Sequence, residues 1–155
     1  MKSDAAQSLN EVLTKTREFH ANLAKSLDVT ANESPNPRAE LLVNYLKDHE
    51  LKLEKALKIL QDSADKKDLN TWFYEYAQPE NILRTNPSHK PFSRMTTDEI
   101  MEEVSNQHQQ VIEFYRYMYG RAGGTEAGEL LRELIEMEQT ETNMMMYEGS
   151  RVEEM

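Results

Sequence analysis

The sequence predicts an all-α protein, a four-helix bundle, on three observations. Four stretches repeat apolar residues at three-and-four spacing, the period that gathers side chains on one face of a helix. Polar or glycine-containing links between them carry helix-cap residues. Only 5 Gly and 5 Pro occur in 155 residues while charged residues make up 30%, a balance that suits long solvated helices better than a turn-rich strand fold.

The first helix is expected over residues 4–28, capped by Ser3, with Leu9, Leu13, Thr16, His20, Leu23 and Leu27 on one face. The second is expected over 37–64, with Asn36 as N-cap and Pro37 at the first helical position. Its face reads Leu42, Leu46, His49, Leu53, Ala56 and Leu60. The short link between the two implies antiparallel neighbours. A shorter helix opening at Asp68 would place Leu69, Trp72, Phe73 and Tyr76 together as a lid over one bundle edge. From Gln78 to Arg94 three prolines and no sustained period describe a connector, with His89 exposed on it. The roughly 30 residues between the second and third long helices suffice to travel the length of the bundle.

The third helix, over 97–120, begins at a capping box, Thr96 to Glu99, and carries Ile100, Val104, His108, Val111, Tyr115 and Met118. Gly123 and Gly124 end it, with the left-handed backbone of a helix stop. The fourth, capped by Thr125 and running over 126–147, presents Ala127, Leu131, Leu134, Glu138, Glu141 and Met145. The tail after Tyr147 is expected to fray.

The chain fits one domain over 1–155. The absence of cysteine excludes disulfides and thiolate chemistry and permits a reducing compartment, so a cytoplasmic location is expected. No apolar run reaches the length of a membrane span. A net charge of -10, from 28 acidic and 18 basic residues, repels phosphate backbones and anionic headgroups. Nucleic acid and membrane are therefore not expected as partners.

Each apolar face is broken near its middle by one polar group: His20, His49, His108 and Glu138. At about 1.5 Å rise per residue, His108 and Glu138 lie roughly 20 Å from the glycine turn, and His20 and His49 about 12 and 18 Å from their own link, near enough to meet if the helix ends differ by a turn. Imidazoles and carboxylates together suit a transition metal such as iron, manganese or zinc. Glu50 and Glu54 flank His49, and Glu141 follows Glu138 by one turn, so Glu50 and Glu141 are supporting candidates. The same residues also fit a hydrogen-bonded polar layer that fixes helix register. Three further marks read as structure. Of Tyr115, Tyr117 and Tyr119 only one packs inward, the Met144 to Met146 run is core and helix end, and the 120–124 glycines lack a phosphate loop's ending.

Two hairpins, a long crossover and ligand-type residues at mid-bundle resemble the ferritin-like superfamily, whose di-iron members place Glu-x-x-His on the second and fourth long helices. Here Leu46 lies three before His49, and Glu138 is followed by Glu141, so those motifs are not preserved. The histidine-rich hemerythrin-like bundles are a poorer likeness, since Leu53 and Ile112 stand where paired ligands would be needed. The segments YLKDHE and LNTWF also resemble an uncharacterised bacterial ferritin-like group, which implies a fold and no activity. The leading expectation is a bundle binding a transition metal through His20, His49, His108 and Glu138, with Glu141 and Glu50 in support. The alternatives are a homodimeric interaction module with a structural polar core, docking through a helix face or the Trp72 segment, and a small-molecule carrier using the space between helices.

Overall fold

The computed structural model describes residues 7–33, 36–73 and 91–154. Four long helices dominate it: α1 (Leu9–Glu33), α2 (Pro37–Ser63), α4 (Thr97–Ala122) and α5 (Glu126–Glu154). The one-turn helix α3 (Lys66–Leu69) and a 3-10 turn (Phe92–Arg94) lie between α2 and α4. The expected exposure of His89 and the placing of Tyr76 fall outside the described residues.

The caps explain where the helices begin. At α2, Pro37 occupies the first position and the Asn36 side chain accepts from the Arg38 amide at 3.0 Å. At α4, the Thr96 hydroxyl accepts from the Glu99 amide at 3.1 Å while the Glu99 carboxylate accepts from the Thr96 amide at 2.9 Å. Thr125 opens α5 by accepting from the Gly128 amide. Before it, Gly124 alone takes a positive φ, +87°, whereas Gly123 has φ -59°.

Three expectations are corrected. The first helix starts at Leu9, behind a second capping box in which Ser8 and Glu11 exchange bonds of 3.1 Å, and it continues to Glu33 instead of stopping at Asp28. The short helix of the crossover forms earlier than expected: Asp65 caps α3, which ends at Leu69, and past it, short of residues 74–77 outside those described, Trp72–Phe73 are extended. They pair antiparallel with Gln7–Ser8 (β1, with 72–73 as β2), bringing Ser8 opposite Trp72. Finally, the tail after Tyr147 is helical as far as Glu154. Met145, Gly149 and Val152 continue one face there, and a Cβ on Gly149 would stand 2.7 Å from the Met101 sulfur. A glycine that reads as a breaker is a packing residue in this place.

Pairings along the helices give the topology. Arg17 reaches Gln61 and Lys47 reaches Asp28, so α1 and α2 are antiparallel. Met101 meets Gly149 and His108 meets Thr142, so α4 and α5 are antiparallel too. Tyr45 bonds Glu148 and His49 faces Glu141, which makes α2 antiparallel to α5 and therefore parallel to α4. Two consecutive long helices that run the same way require a connection spanning the bundle, about 40 Å for the 27 residues of α2. This is the two-hairpin bundle with one long crossover.

The apolar core comes in two parts. One holds Leu9, Leu13, Phe19, Leu53, Leu57, Val111, Tyr115, Met118, Leu131 and Leu134. The other holds Leu23, Leu27, Leu42, Leu46, Ile100, Val104 and Met145. On every helix the break falls at the polar group: His20 between Phe19 and Leu23, Glu50 between Leu46 and Leu53, His108 between Val104 and Val111, Glu138 between Leu134 and Met145. Each buried leucine contributes about 1.5–3 kcal/mol, so both halves favour folding and the layer between them does not do so by apolar burial.

Candidate metal centre

Four side chains of the middle layer are wholly buried: His20, Glu50, His108 and Glu138, each 0% exposed. Each comes from a different long helix, and Glu50 is the hub. Its Oε1 lies 2.7 Å from His20 Nδ1, and its Oε2 is hydrogen-bonded to His108 Nε2. The two imidazole centroids are 5.1 Å apart with the rings at 66°. His20, Glu50 and His108 each offer a ligand atom within 4.8 Å of the others, close enough for one ion.

The outer nitrogen of each imidazole is also held. His20 Nε2 lies 2.8 Å from Glu138 Oε2. His108 Nδ1 lies 2.8 Å from the Thr142 hydroxyl, which donates its own proton to the Glu138 carbonyl at 2.7 Å. Thr142 therefore accepts from His108 Nδ1–H, and Nε2 is the nitrogen turned to Glu50. Each histidine thus faces the hub with one nitrogen and is oriented through the other, as second-shell acceptors orient metal-binding imidazoles. Glu138 Oε1 has no hydrogen-bond partner although buried, and lies 4.0 Å from His108 Nδ1.

Charge follows from this wiring. Burial alone would lower the His20 pKa, but the charge and hydrogen bond of Glu138, joined by those of Glu50, raise it from 6.5 to about 10. Burial would raise the Glu50 pKa, but His108 and then His20 bring it from 4.5 down to about 2. Without an ion His20 stands as an imidazolium between Glu50 and Glu138. Below it the buried phenol of Tyr115 is pushed well above its ordinary value by burial and by Glu138.

His49 and Glu141 stand apart. His49 Nδ1 is 3.3 Å from Glu141 Oε1, its ring lies 4.4 Å from that of Tyr45, and the Glu141 side chain is 27% exposed. The Tyr45 hydroxyl donates to Glu148 at 2.7 Å, and burial together with Glu148 raises its pKa. Glu54 turns to Arg17, at 3.0 Å from both Nε and Nη2. The structure therefore brings His20, Glu50, His108 and Glu138 together and leaves His49 and Glu141 as a pair nearer the surface. Thr142 was not singled out in the sequence. Its phase, four residues after Glu138, is the available signal.

Of the three tyrosines Tyr115 alone is fully buried, and of the methionine run only Met145 is. A cavity of about 580 Å³ lies at the bundle end by α3 and the α4–α5 turn, lined in part by Lys67, Trp72, Phe73 and Arg121. It does not lie between the helices at the cluster. No helix among the described residues is long and apolar enough to cross a membrane. The chain matches no protein family, no curated protein and no solved structure among those with which it was compared.

Proposed function

We propose that the buried layer binds a single divalent transition metal ion, with zinc, iron and manganese as candidates. His20 Nδ1, His108 Nε2 and Glu50 would hold it, Glu138 and Thr142 orienting the imidazoles. The observation that carries this reading is the paired wiring: two imidazoles on separate helices each turn one nitrogen to the same carboxylate and have the other nitrogen fixed. Mixed nitrogen and oxygen donors suit these ions and not calcium or magnesium, which take all-oxygen shells. Such an ion supplies Lewis acidity, or redox chemistry where it is iron or manganese. The chain's own residues position it, exclude water and, at His20, give up a proton for it. The bundle order supports a ferritin-like arrangement of the site, but the donor set is richer in histidine than the Glu-x-x-His pattern and gives no support to di-iron chemistry.

A second reading, a structural polar core, is favoured by one observation: Glu50, His20 and His108 already satisfy one another without an ion. For the homodimer expected with it, the support is the 47% exposure of Trp72, and a light-scattering mass in solution tests it. Elemental analysis of tag-free protein reconstituted separately with zinc, iron and manganese separates the two functions. The metal reading expects about one ion per chain, lost in His20→Ala and His108→Ala variants that still fold by circular dichroism. Substoichiometric metal in the wild type under all three conditions would leave the polar core standing.

A further inference from the structure

A cluster with no solvent exposure needs a way in, and one side of the bundle offers it. The α2–α5 seam carries His49, 8% exposed and adjacent in sequence to Glu50, opposite Glu141, one turn beyond Glu138. The two side chains meet at 3.3 Å. A surface depression of about 350 Å³, lined from α5 alone by Glu133, Glu136, Met137, Thr140 and Glu141, reaches this pair through Glu141. Moving inward, a cation would meet the depression's carboxylates, then an imidazole–carboxylate pair, then the buried donors. Around the rest of the layer, Thr142 is 2% exposed and Gln107, beside His108, is 0% exposed. Gln107 donates to the Glu103 carboxylate, itself only 8% exposed, and among the described residues no imidazole stands on that side.

We propose that His49 and Glu141 form a transfer subsite through which divalent transition metal ions pass between the acidic depression and the buried cluster. The inference rests on the metal reading above and adds a route to it. His49 and Glu141 then act on rate and not on affinity. A group that stabilises an ion in transit speeds entrance and exit by the same factor, so the ratio of the two rates is unchanged. A ligand of the final site changes that ratio. Acidic surface away from the route attracts cations only through the general field, which salt screens.

The test uses the full-length protein, zinc ions alone as the probe, and stopped-flow uptake and chelator-driven release read with a chromophoric chelator. The variants are His49→Ala, Glu141→Gln and, as a control of equal charge change on the same helix, Glu129→Gln. Glu129 is exposed and does not line the depression, although its partner Arg132 also reaches Glu136 there. The expected result is uptake and release both slowed about tenfold in His49→Ala and in Glu141→Gln, with an equilibrium Kd within twofold of wild type and Glu129→Gln unchanged in both rates. Because His49 packs on Tyr45, the more exposed Glu141 variant carries the test if His49→Ala unfolds. A Kd weakened in step with the rate would make the pair ligands and overturn the route. Wild-type rates in both variants, or slowing as large in Glu129→Gln, would overturn it while leaving the cluster intact. A wild-type protein that takes up no zinc would overturn both.

Discussion

His49 and His108 look alike in sequence, each a histidine in the middle of an apolar helical face, yet they end in different surroundings. His108 is wholly buried, held at both nitrogens by Glu50 and Thr142. His49 lies against Tyr45 at the α2–α5 seam, with one 3.3 Å contact to a half-buried carboxylate. On α2 it is the next residue, Glu50, that reaches the centre. Successive residues on a helix differ by about 100° in direction, so one step separates the middle of the bundle from its seam. The difference shows that an inward face defined by spacing is an arc, and that which of two adjacent polar residues reaches the axis depends on how neighbouring helices are rotated.

The comparison breaks first at Glu50. Replacing it by Gln removes the carboxylate shared by two buried imidazoles, and truncating one partner of a buried charged network costs about 3–5 kcal/mol. Urea unfolding of the metal-free protein measures it, and a loss under 1 kcal/mol would mean that the layer relaxes or admits water. The same network predicts a pH profile. His20, raised from 6.5 to about 10, contributes stability that is complete below pH 6.5 and lost as pH rises toward 10. Glu50, lowered from 4.5 to about 2, contributes stability that is complete above pH 4.5 and lost as pH falls toward 2. The two contributions are both complete between pH 4.5 and 6.5, where thermal midpoints of the metal-free protein should be highest. A His20→Gln variant should flatten the alkaline side.

A smaller effect is expected at Thr142. Thr142→Val keeps the shape but leaves His108 Nδ1–H without its acceptor, at about 1–3 kcal/mol by urea unfolding. It should also weaken metal affinity about 10–100-fold, the scale of a lost second-shell partner. The smallest effect belongs to the seam. His49 and Glu141 are a partly exposed pair, so Glu141→Gln should cost about 0–1 kcal/mol. Equal losses at Glu141 and Glu50 would erase the distinction between seam and centre.

How much of this was legible follows from the same geometry. Asn36-Pro37 and Thr96 to Glu99 name their own helix starts because each cap satisfies a local amide. The equally local Ser8 to Glu11 box was legible too, but Ser3 competed with it. The aromatic spacing of Leu69 to Tyr76 suggests a helix, and at Trp72–Phe73 pairing with Gln7–Ser8, more than sixty residues away, overrides it. Gly149 hid the end of α5 because only the Met101 side chain, from another helix, shows why a glycine is wanted there. In the centre, His20, His108 and Glu138 were visible from periodicity alone. That Glu50 is the hub and that Thr142 fixes a nitrogen required the rotation of α2 and α5 against their neighbours.

The claim that His20, Glu50 and His108 surround one ion is tested most directly by zinc K-edge X-ray absorption on wild-type protein loaded with one equivalent. The account predicts a first shell containing two imidazoles at about 2.0–2.1 Å with carboxylate oxygen completing it, and loss of one imidazole in His108→Ala. A shell of oxygens alone, or three imidazoles with His49 among them, would contradict it.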